Sequence, residues 1–343
     1  MSTCWAVTGA TGLVGNNLVR RLLADGVRVR VLARGERRRE LEGLEVETVA
    51  GDLAAGPLGE LVRGADVVVH AAANVWVGQT GREAMARVNV GGTRLVCEAV
   101  AAEAQRRRAG GAGLRMVHVS SVDALGLGTK EQPATEETKP RPEEGGVAYV
   151  DTKRAADVIV RGFVEKGALD AVLVHPTYMI GPWDWRPSSG KMVLEIARGK
   201  GLLAPSGGNN FVDVRDVVAG IIAVATLRTG DGGYVAKPGS GWILGHENLS
   251  YREAWTRMAA VVGARPPMAE LLRWVGFSAA NALELPLALG LREGEINPAT
   301  TRMSFLPHYF DPSKAQKLLA LTPTPLETAF GDAWAWFREH GYG

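Results

Sequence analysis

A tyrosine and a lysine stand four residues apart in the segment Tyr149-Val150-Asp151-Thr152-Lys153. Residues at positions i and i+4 are neighbours on one face of a helix, so the ammonium lies beside the phenol. Such a cation favours the phenolate and is expected to lower the pKa of Tyr149, which suits proton exchange with a substrate oxygen. Ser121, at the end of a predicted strand, can hydrogen-bond the same oxygen. These three residues form the predicted catalytic group.

A glycine-rich loop near the N-terminus precedes this group. The run Thr8-Gly9-Ala10-Thr11-Gly12-Leu13-Val14-Gly15 follows a predicted strand and opens a predicted helix. Its glycines permit a tight turn and let a pyrophosphate approach backbone N–H groups at the helix start. This context favours a dinucleotide site over an ordinary strand-to-helix turn. The expected cofactor contacts here are Thr8, Gly9, Thr11, Gly12, Leu13, Val14 and Gly15.

Basic residues follow the second predicted strand, where a dinucleotide site meets the adenosine ribose. An acid there is typical of NAD sites, whereas arginine accommodates the 2′-phosphate of NADP. Arg34 stands at the strand end, and Arg37 and Arg38 follow it. The nearest acid, Glu36, comes two residues late. The sequence therefore favours NADP (NADPH), with NAD kept open.

Two more strand ends carry candidate cofactor contacts. Asp52 is placed to accept a hydrogen bond from an adenine amino group, or else it caps a turn. His70 ends the fourth strand and is expected to be a packed histidine. The small residues that follow it let the backbone approach a ligand; they are Ala71, Ala72 and Ala73.

The elements that must position these residues alternate along the first half of the chain. Short β-branched runs are separated by segments of helical period, which is the pattern of βαβ units around a parallel sheet. The strands are nearly all apolar, as expected where both faces of a sheet are covered. The predicted strands are 4–8, 27–33, 46–50, 67–71, 116–120 and 171–175, and the predicted helices are 13–25, 59–64, 82–105 and 149–166.

Length and composition limit the class of protein. The 343 residues suffice for about two folding units, and 46% hydrophobic with 22% charged residues is ordinary for a globular protein. A net charge of +2, and arginines without interleaved aromatic residues, predict no nucleic-acid patch. The two cysteines are too few for a disulfide framework or a cysteine-rich metal site, so no metal is expected. With no signal-peptide pattern, this favours the cytoplasm.

Beyond Pro176 tryptophans gather and prolines interrupt the helical patterns. The stretch 268–291 is strongly apolar, but charged residues and a proline interrupt it. Buried or pocket-lining helices are therefore preferred to an integral membrane span, which needs roughly 20 predominantly apolar residues. A peripheral membrane contact stays open.

These landmarks resemble the extended short-chain dehydrogenase/reductase superfamily over nearly the whole chain. The matching motifs are the TGxxGxxG loop at 8–15, Gly51-Asp52-Leu53, His70-Ala71-Ala72, Val88-Asn89-Val90-Gly91-Gly92-Thr93, Ser120-Ser121, the YxxxK pair, and Pro176 ahead of Gly181-Pro182. Segments 208–216 and 245–250 look most like the dihydroflavonol-reductase-like branch.

The resemblance implies an α/β fold, with a Rossmann-type doubly wound parallel sheet and a smaller, mostly helical C-terminal substrate-binding domain. It also implies a homodimer through the helices 82–105 and 149–166. The expected division is 1–180 with about 209–240 for the NADP-binding domain, 181–208 with 241–325 for the substrate-binding domain, and 326–343 for a C-terminal helix.

The resemblance also implies roles. Tyr149 would be the acid/base, Lys153 would hold the nicotinamide ribose, and Ser121 would orient the carbonyl. Asn89 would hold either the local structure or a proton-relay water, and Pro176 would lie against the nicotinamide. The remaining expected cofactor contacts are Leu53, Val119 and Thr177.

The predicted substrate side is apolar and aromatic. Such rings suit a flat or greasy molecule better than a phosphate, although each tryptophan taken singly is as readily a core residue. Asp123 is either a substrate contact or a loop-capping residue. The candidate substrate residues are Trp76, Asp123, Tyr178, Met179, Trp183 and Trp185.

The chain departs from the family pattern at three places, and two of these departures weigh against particular activities of the family. Nucleotide-sugar members usually carry Arg-Asp where this chain has Asn209-Asn210, although Arg186 or Arg198 could substitute. Dehydratases usually follow the serine with Asp-Glu, whereas Asp123 has no acidic neighbour. His175 stands where relatives often carry arginine.

We therefore expect NADPH-dependent reduction of a ketone or aldehyde on a small hydrophobic or aromatic substrate, with Tyr149 as proton donor. An NAD-dependent 3β-hydroxysteroid or sterol dehydrogenase, or a nucleotide-sugar epimerase, is the alternative within the same fold. A non-catalytic dinucleotide-binding regulatory protein is the third possibility, which the intact Ser121, Tyr149 and Lys153 disfavour.

Overall fold

A parallel sheet of seven strands forms the first layer of the computed structural model, which describes residues 3–35, 39–56, 58–78, 80–108, 110–288, 292–294 and 296–343. Numbered in chain order, its strands are β1 (Cys4–Thr8), β2 (Arg28–Ala33), β3 (Glu47–Ala50), β4 (Val67–His70), β5 (Arg115–Val119), β6 (Asp170–Pro176) and β10 (Gly241–Leu244). They lie in the order β3-β2-β1-β4-β5-β6-β10, with every neighbouring pair parallel. The strand order reverses between β1 and β4, the point at which doubly wound sheets bind ligands.

Helices cover both faces of this sheet. One face carries α1 (Leu13–Ala24) and α7 (Val214–Thr226), which pack against each other. The other carries α2 (Gly59–Val62), α4 (Gly92–Arg108) and α5 (Ala148–Glu165), with α3 (Arg82–Ala86) joined to α4 by a π-helical turn at Arg87–Gly91. The predicted Rossmann-type fold is therefore confirmed, and the elements predicted for the first half of the chain match those observed within a few residues.

A second layer is formed by segments from the C-terminal half of the chain. It contains β7 (Tyr178–Ile180), β9 (Gly208–Asp213), β11 (Glu247–Ser250) and β13 (Pro307–His308) in one sheet, and β8 (Leu203–Pro205) with β12 (Ala269–Leu271) in another. Its helices are α6 (Lys191–Ala197), α8 (Tyr251–Val262), α9 (Arg273–Ala288), α10 (Pro298–Ser304), α11 (Ser313–Leu318) and α12 (Leu326–Glu339). Of the helices described, none combines the length and apolar character that a membrane crossing requires.

Two strands lie in a different layer from the one that the expected domain boundaries give them. Strand β10 pairs with β6 inside the seven-stranded sheet, although it lies beyond residue 240 in the predicted substrate-binding domain. Strand β9 lies in the second layer and pairs with β7, although the sequence assigned it to the NADP-binding domain. Strands as short as these carry no sequence signal for the sheet they join, because tertiary strand pairing decides it.

Candidate active site

The glycine-rich loop forms a cradle at the switch point of the sheet. Gly9 has φ +76°, and a Cβ there would lie 2.6 Å from the backbone nitrogen of Ala72, behind β4. A Cβ at Gly15 would lie 2.1 Å from the carbonyl oxygen of Gly9. Neither site has room for a side chain, so the loop is folded against β4 and the start of α1.

The N-terminus of α1 opens into this cradle. Gly12 caps the helix in an extended conformation without a side-chain acceptor. The first N–H groups of a helix have no intrahelical carbonyl, and with the helix dipole they suit phosphate oxygens. The hydroxyl of Thr8 is engaged with His70 Nδ1 at 2.8 Å and accepts from the N–H of Ala72 at 3.2 Å. Thr8 therefore ties β1 to β4, and the cradle fits a dinucleotide through its backbone.

Two residues predicted for the adenosine end lie together at the ends of β2 and β3. Arg34 Nη1 lies 3.9 Å from Asp52 Oδ2, with the side chains 68% and 45% exposed. Asp52 also accepts from the N–H of Ala54 at 2.9 Å, the contact expected of a turn residue. Arg37 and Arg38 lie outside the described residues. Leu53 is buried, and its side chain lies 2.7 Å from the place that a Cβ on Gly92 would take.

Helix α5 carries Tyr149 and Lys153 to the carboxyl end of β5. Lys153 is 5% exposed, and its Nζ donates to the carbonyl of Val119 at 2.9 Å. Burial lowers the pKa of Lys153 to about 8, while the carboxylates of Asp157 and Asp123 act to raise it. Because this pKa lies close to neutral pH, the Lys153 ammonium can donate hydrogen bonds, and small changes in nearby charge alter its protonation.

The expectation of a lowered tyrosine pKa is wrong for this structure. Burial and the charge of Asp123 raise the pKa of Tyr149 well above its usual value, and the hydrogen bond with Ser121 offsets only part of this. The physical reason is that removing a phenolate from water outweighs the stabilisation that neighbouring donors supply. Tyr149 is therefore held in its protonated form at neutral pH.

Ser121 and Asp123 complete this corner of the site. Ser121 is 8% exposed, and its Oγ donates to Asp123 Oδ2 at 2.8 Å and accepts from the N–H of Asp123 at 3.3 Å. Asp123 therefore makes the expected capping contact. It also lies near the site, since its charge acts on Tyr149 and Tyr251. A carboxylate therefore stands beside the predicted catalytic group.

Asn89 joins three elements around the site. It lies in the π-helical turn, and its side-chain nitrogen donates to the carbonyl of Asn74 at 2.9 Å and to Thr152 Oγ1 at 3.1 Å. Its side-chain oxygen accepts from the N–H of Asn74 at 2.7 Å. These contacts fasten the loop after β4 to α5, which supports the structural reading of Asn89 over the proton-relay reading.

The aromatic residues of the substrate side divide into two groups. Tyr178 and Met179 lie on β7, and the Tyr178 ring packs 5.2 Å from Phe211. Trp183 and Trp185 instead pack with the C-terminal helix, at 5.8 and 5.1 Å from the ring of Trp336. The guanidinium of Arg20 also lies 3.3 Å from the centre of the Trp183 ring. These two tryptophans are therefore partly core residues, and Trp76 lies apart in the loop after β4.

Several predicted contacts lie at the carboxyl ends of β4, β5 and β6, facing the switch point. Ala71, Ala72 and Ala73 are partly exposed there, while Val119 is buried. Pro176 ends β6, and Thr177 donates its N–H to the carbonyl of Leu244 at 3.1 Å. The parallel sheet thus brings together residues that are more than 100 positions apart in the chain.

Sequence reasoning missed Tyr251. Its phenol is hydrogen-bonded to Asn209 and lies near Asp123, and burial raises its pKa to about 12. The only local signal is the capping box of Ser250 and Glu253, which predicts the start of α8 but not the tertiary neighbours of its first residue. Tyr251 reaches the site because β11 pairs with β9.

Comparison with known proteins agrees with this geometry. The family model for the NAD dependent epimerase/dehydratase family matches residues 5–235. The chain belongs to this family. The family's activities make it an NAD(P)-dependent oxidoreductase-type enzyme, and the resemblance to extended short-chain dehydrogenases/reductases is confirmed.

Relatives of this family match the chain end to end. A Synechocystis protein with the provisional name dihydroflavonol 4-reductase is 35% identical, covering 100% of this chain and 96% of its own. Sterol demethylase protein B of Methylococcus capsulatus is 34% identical, covering 98% of each chain. The crystal structure of gox2253 is 31% identical with a TM-score of 0.83, covering 100% of this chain and 99% of its own. The family thus accounts for both layers of the fold.

Proposed function

We propose that this protein catalyses the NADPH-dependent reduction of a ketone or aldehyde on a small hydrophobic substrate. The observation that carries the proposal is the convergence of Ser121, Tyr149 and Lys153 beside a backbone phosphate cradle. The glycine contacts and the start of α1 support cofactor binding through Gly9, Gly12 and the first residues of the helix.

The chain's own residues would hold the carbonyl and supply its proton. NADPH, when bound, supplies the hydride. The Tyr149 phenol is protonated at neutral pH, as a proton donor to the developing alkoxide must be. Ser121 would turn its hydroxyl from Asp123 to the carbonyl oxygen, and Lys153 would hold the nicotinamide ribose.

The electrostatics of the site favour a substrate without phosphate. The carboxylate of Asp123 lies beside the predicted catalytic group and repels anions. The two arginines that could replace the missing family arginine are engaged elsewhere: Arg186 Nη2 lies 3.3 Å from Glu40, and Arg198 donates to the carbonyl of Tyr342 at 2.8 Å. These contacts weigh against a nucleotide-sugar epimerase. The similarity to a protein named for sterol demethylation supports a hydrophobic substrate and keeps a sterol dehydrogenase as the second candidate.

The preference for NADPH rests on Arg34. Its guanidinium is largely exposed at the end of β2, where the adenosine ribose lies in doubly wound folds, and its partner Asp52 is 3.9 Å away. A 2′-phosphate there would be paired with a side chain that is already oriented.

The experiment is reduction of a panel of hydrophobic ketones and aldehydes with NADPH, comparing the unaltered enzyme with Tyr149→Phe. Loss of the proton donor should lower kcat by about 10² or more. Tyr234→Phe, which removes a phenol outside the site, should leave kcat unchanged. Equal turnover by the Tyr149→Phe variant would remove the assigned proton donor, and turnover of nucleotide sugars alone would replace the proposed function by epimerisation.

We also propose a homodimer through the helices that the family resemblance indicates. Val158, in the middle of α5, is 71% exposed and would be covered by a second copy. Sedimentation velocity should give the mass of a dimer, and Val158→Glu should shift it to that of a monomer. A monomer at all concentrations would contradict the proposal.

A further inference from the structure

Five large apolar side chains are exposed in two neighbouring segments of the second layer. Their exposed fractions are 40% for Leu202, 50% for Leu203, 77% for Met268, 60% for Leu272 and 68% for Trp274. We call these five residues the apolar patch. Contiguous exposed apolar surface is uncommon on a protein that has no partner for it, because exposed apolar area gains no burial free energy.

Backbone hydrogen bonds hold the two segments of the apolar patch side by side. The N–H of Met268 donates to the carbonyl of Leu202 at 2.9 Å, and Leu203 lies opposite Ala269 in the parallel pair β8–β12. Leu272 and Trp274 follow at the end of β12 and the start of α9. The two backbone segments that carry the patch are thus held together by the β8–β12 pair.

Exposed cations stand in the same two segments. Arg265 precedes Met268, and Arg273 lies between Leu272 and Trp274; both are exposed. Lys200, which precedes Leu202, is also exposed but is paired with Glu195 at 2.7 Å. Glu270 is the acid exposed between them on β12. A tryptophan and leucines next to arginine and lysine are the composition of an interfacial surface, where apolar groups enter the acyl boundary and cations meet anionic headgroups.

We propose that the apolar patch docks this protein on the surface of a bilayer that contains anionic lipids. The charges favour this occupant over a second copy of the chain, because self-association through the patch would bring Arg265 and Arg273 toward like charges. The described residues beyond α9 contact the loop after β4. Beyond α9, Glu293 accepts from the N–H of Thr80 at 2.7 Å, and Asn297 donates to the carbonyl of Val77 at 2.7 Å. Both contacts lie in the loop after β4 that also holds Trp76.

The test is co-sedimentation of the full chain with sucrose-loaded vesicles, either phosphatidylcholine alone or phosphatidylcholine with 30% phosphatidylglycerol. The protein should sediment with the anionic vesicles, and added salt should release it. The apolar variant Leu272→Ser/Trp274→Ala and the charge variant Arg265→Glu/Arg273→Glu should each lower the partition coefficient about tenfold or more.

The matched control is Leu318→Ser/Lys317→Glu, which removes an exposed leucine and an exposed lysine from α11. This variant should bind vesicles like the unaltered protein, and all variants should keep their NADPH affinity. Equal loss of binding in the control, no binding to anionic vesicles, or a dimer that only the apolar variant dissociates would each overturn the proposal. The measurement does not involve turnover, so its failure is distinct from failure of the proposed function.

A second inference comes from a buried cluster beneath the site. Asp157 lies one helical turn beyond Lys153 on α5 and is 8% exposed. His175 Nε2 lies 2.9 Å from Asp157 Oδ2, and His118 Nε2 lies 3.5 Å from Oδ1. The two histidines are 0% and 2% exposed, and they lie on the adjacent strands β6 and β5. One buried carboxylate is therefore hydrogen-bonded to His175 and lies beside His118, and its charge also acts on Lys153.

Besides Asp123, whose charge also acts on Lys153, the neighbouring titratable groups have partners of their own. His70 on β4 lies 5.4 Å from His118 ring to ring, and its own nitrogens contact Thr8 and Thr93. Arg161, further along α5, donates to the carbonyl of Gly239. Burial lowers the pKa of both His70 and His118, so neither adds a permanent positive charge. Asp157, one helical turn away on α5, is thus the buried carboxylate whose charge most favours the ammonium of Lys153, and Asp123 acts in the same direction.

We infer that Asp157 is a positioning residue that keeps Lys153 charged, an inference that rests on the proposed function only for the role of Lys153. With a neutral residue at 157, the ammonium loses its buried counter-ion and deprotonates at lower pH. NADPH affinity and kcat/KM should then fall from a lower pH than the value near 8 expected for the unaltered enzyme.

The test is NADPH affinity by fluorescence, with kcat/KM, between pH 5.5 and 9.5. Asp157→Asn should move the fall of both quantities at least one unit lower, and Asp157→Glu should restore it. His175→Arg, which sets a permanent cation against Asp157, should move it in the same direction and serves where Asp157→Asn does not fold. An unmoved fall in a folded Asp157→Asn or His175→Arg variant would overturn the inference, whatever the substrate.

Discussion

The carboxyl edge of the seven-stranded sheet and the apolar patch differ in how their side chains meet water. At the edge, Lys153 is 5% exposed and Ser121 is 8% exposed, and both have short hydrogen bonds to neighbours. In the apolar patch, Trp274 is 68% exposed and Met268 is 77% exposed. The polar groups of this molecule are thus buried where chemistry is proposed, and large apolar groups are exposed elsewhere.

This contrast shows two ways in which a fold places functional groups. A buried polar group is costly unless its partners are fixed, so the edge of the sheet depends on exact packing of glycines, strands and helix α5. Replacing an exposed apolar side chain changes the free energy of unfolding little, so substitutions in the apolar patch should not disturb the fold. Substitutions should therefore damage the edge through structure and the patch through binding alone.

Gly15→Ala is expected to lower stability and cofactor affinity together, because the new Cβ would lie 2.1 Å from the carbonyl oxygen of Gly9. The cradle must open to admit it, which should cost about 1–3 kcal/mol of stability and at least tenfold in NADPH affinity. Gly113→Ala is the control, since a Cβ there meets nothing within 4 Å. Calorimetry and NADPH titration measure both quantities, and normal affinity in Gly15→Ala would show that the cradle is not the cofactor site.

A pair of tryptophans tests the contrast directly. Trp336 is 5% exposed and packs on Trp185 and His340, with ring centres 5.1 and 4.3 Å away. Its replacement by alanine should lower the free energy of unfolding by about 3–5 kcal/mol. Trp274→Ala should change it by less than about 0.5 kcal/mol. Urea denaturation distinguishes them, and similar losses would mean that Trp274 is packed in solution.

The pH dependence of stability should show the effect of the buried carboxyl of Asp184, which lies between Trp183 and Trp185 in the sequence. It is 2% exposed, and burial raises the pKa of its carboxyl to about 6 from an ordinary value of 3.8. The folded state then holds this proton more tightly than the unfolded state, so stability falls as pH rises from about 4 to about 6, by up to about 3 kcal/mol. Asp184→Asn should flatten that part of the curve of unfolding free energy against pH. A curve of unchanged slope would place the carboxyl in contact with water.

At the exposed end of the cradle, a substitution should change cofactor preference and leave stability unaltered. Arg34→Asp puts a negative charge where a 2′-phosphate is proposed and should shift the ratio of NADPH to NADH affinity about tenfold or more toward NADH, about 1.4 kcal/mol. Stability should be unaltered because the side chain is 68% exposed. An unchanged ratio would remove Arg34 from the site, and Arg63→Asp is the control for a lost surface arginine.

Part of the site could be predicted because its signals are local. The loop at Thr8–Gly15 places its glycines by spacing alone, and the interval between Tyr149 and Lys153 fixes their shared helical face. The pKa of Tyr149 could not be predicted in this way. Its direction depends on burial and on Asp123, which are properties of the folded neighbourhood.

The sequence by itself determined the alternation of strands and helices, the phosphate cradle and the pairing of tyrosine with lysine, because each depends on short-range periodicity or spacing. The tertiary structure alone decided that β10 joins the first sheet, that Tyr251 reaches Asp123, and that Asp157 lies between two histidines. These contacts join residues far apart in the chain. Only strand pairing and packing select them, since no local pattern encodes a distant neighbour.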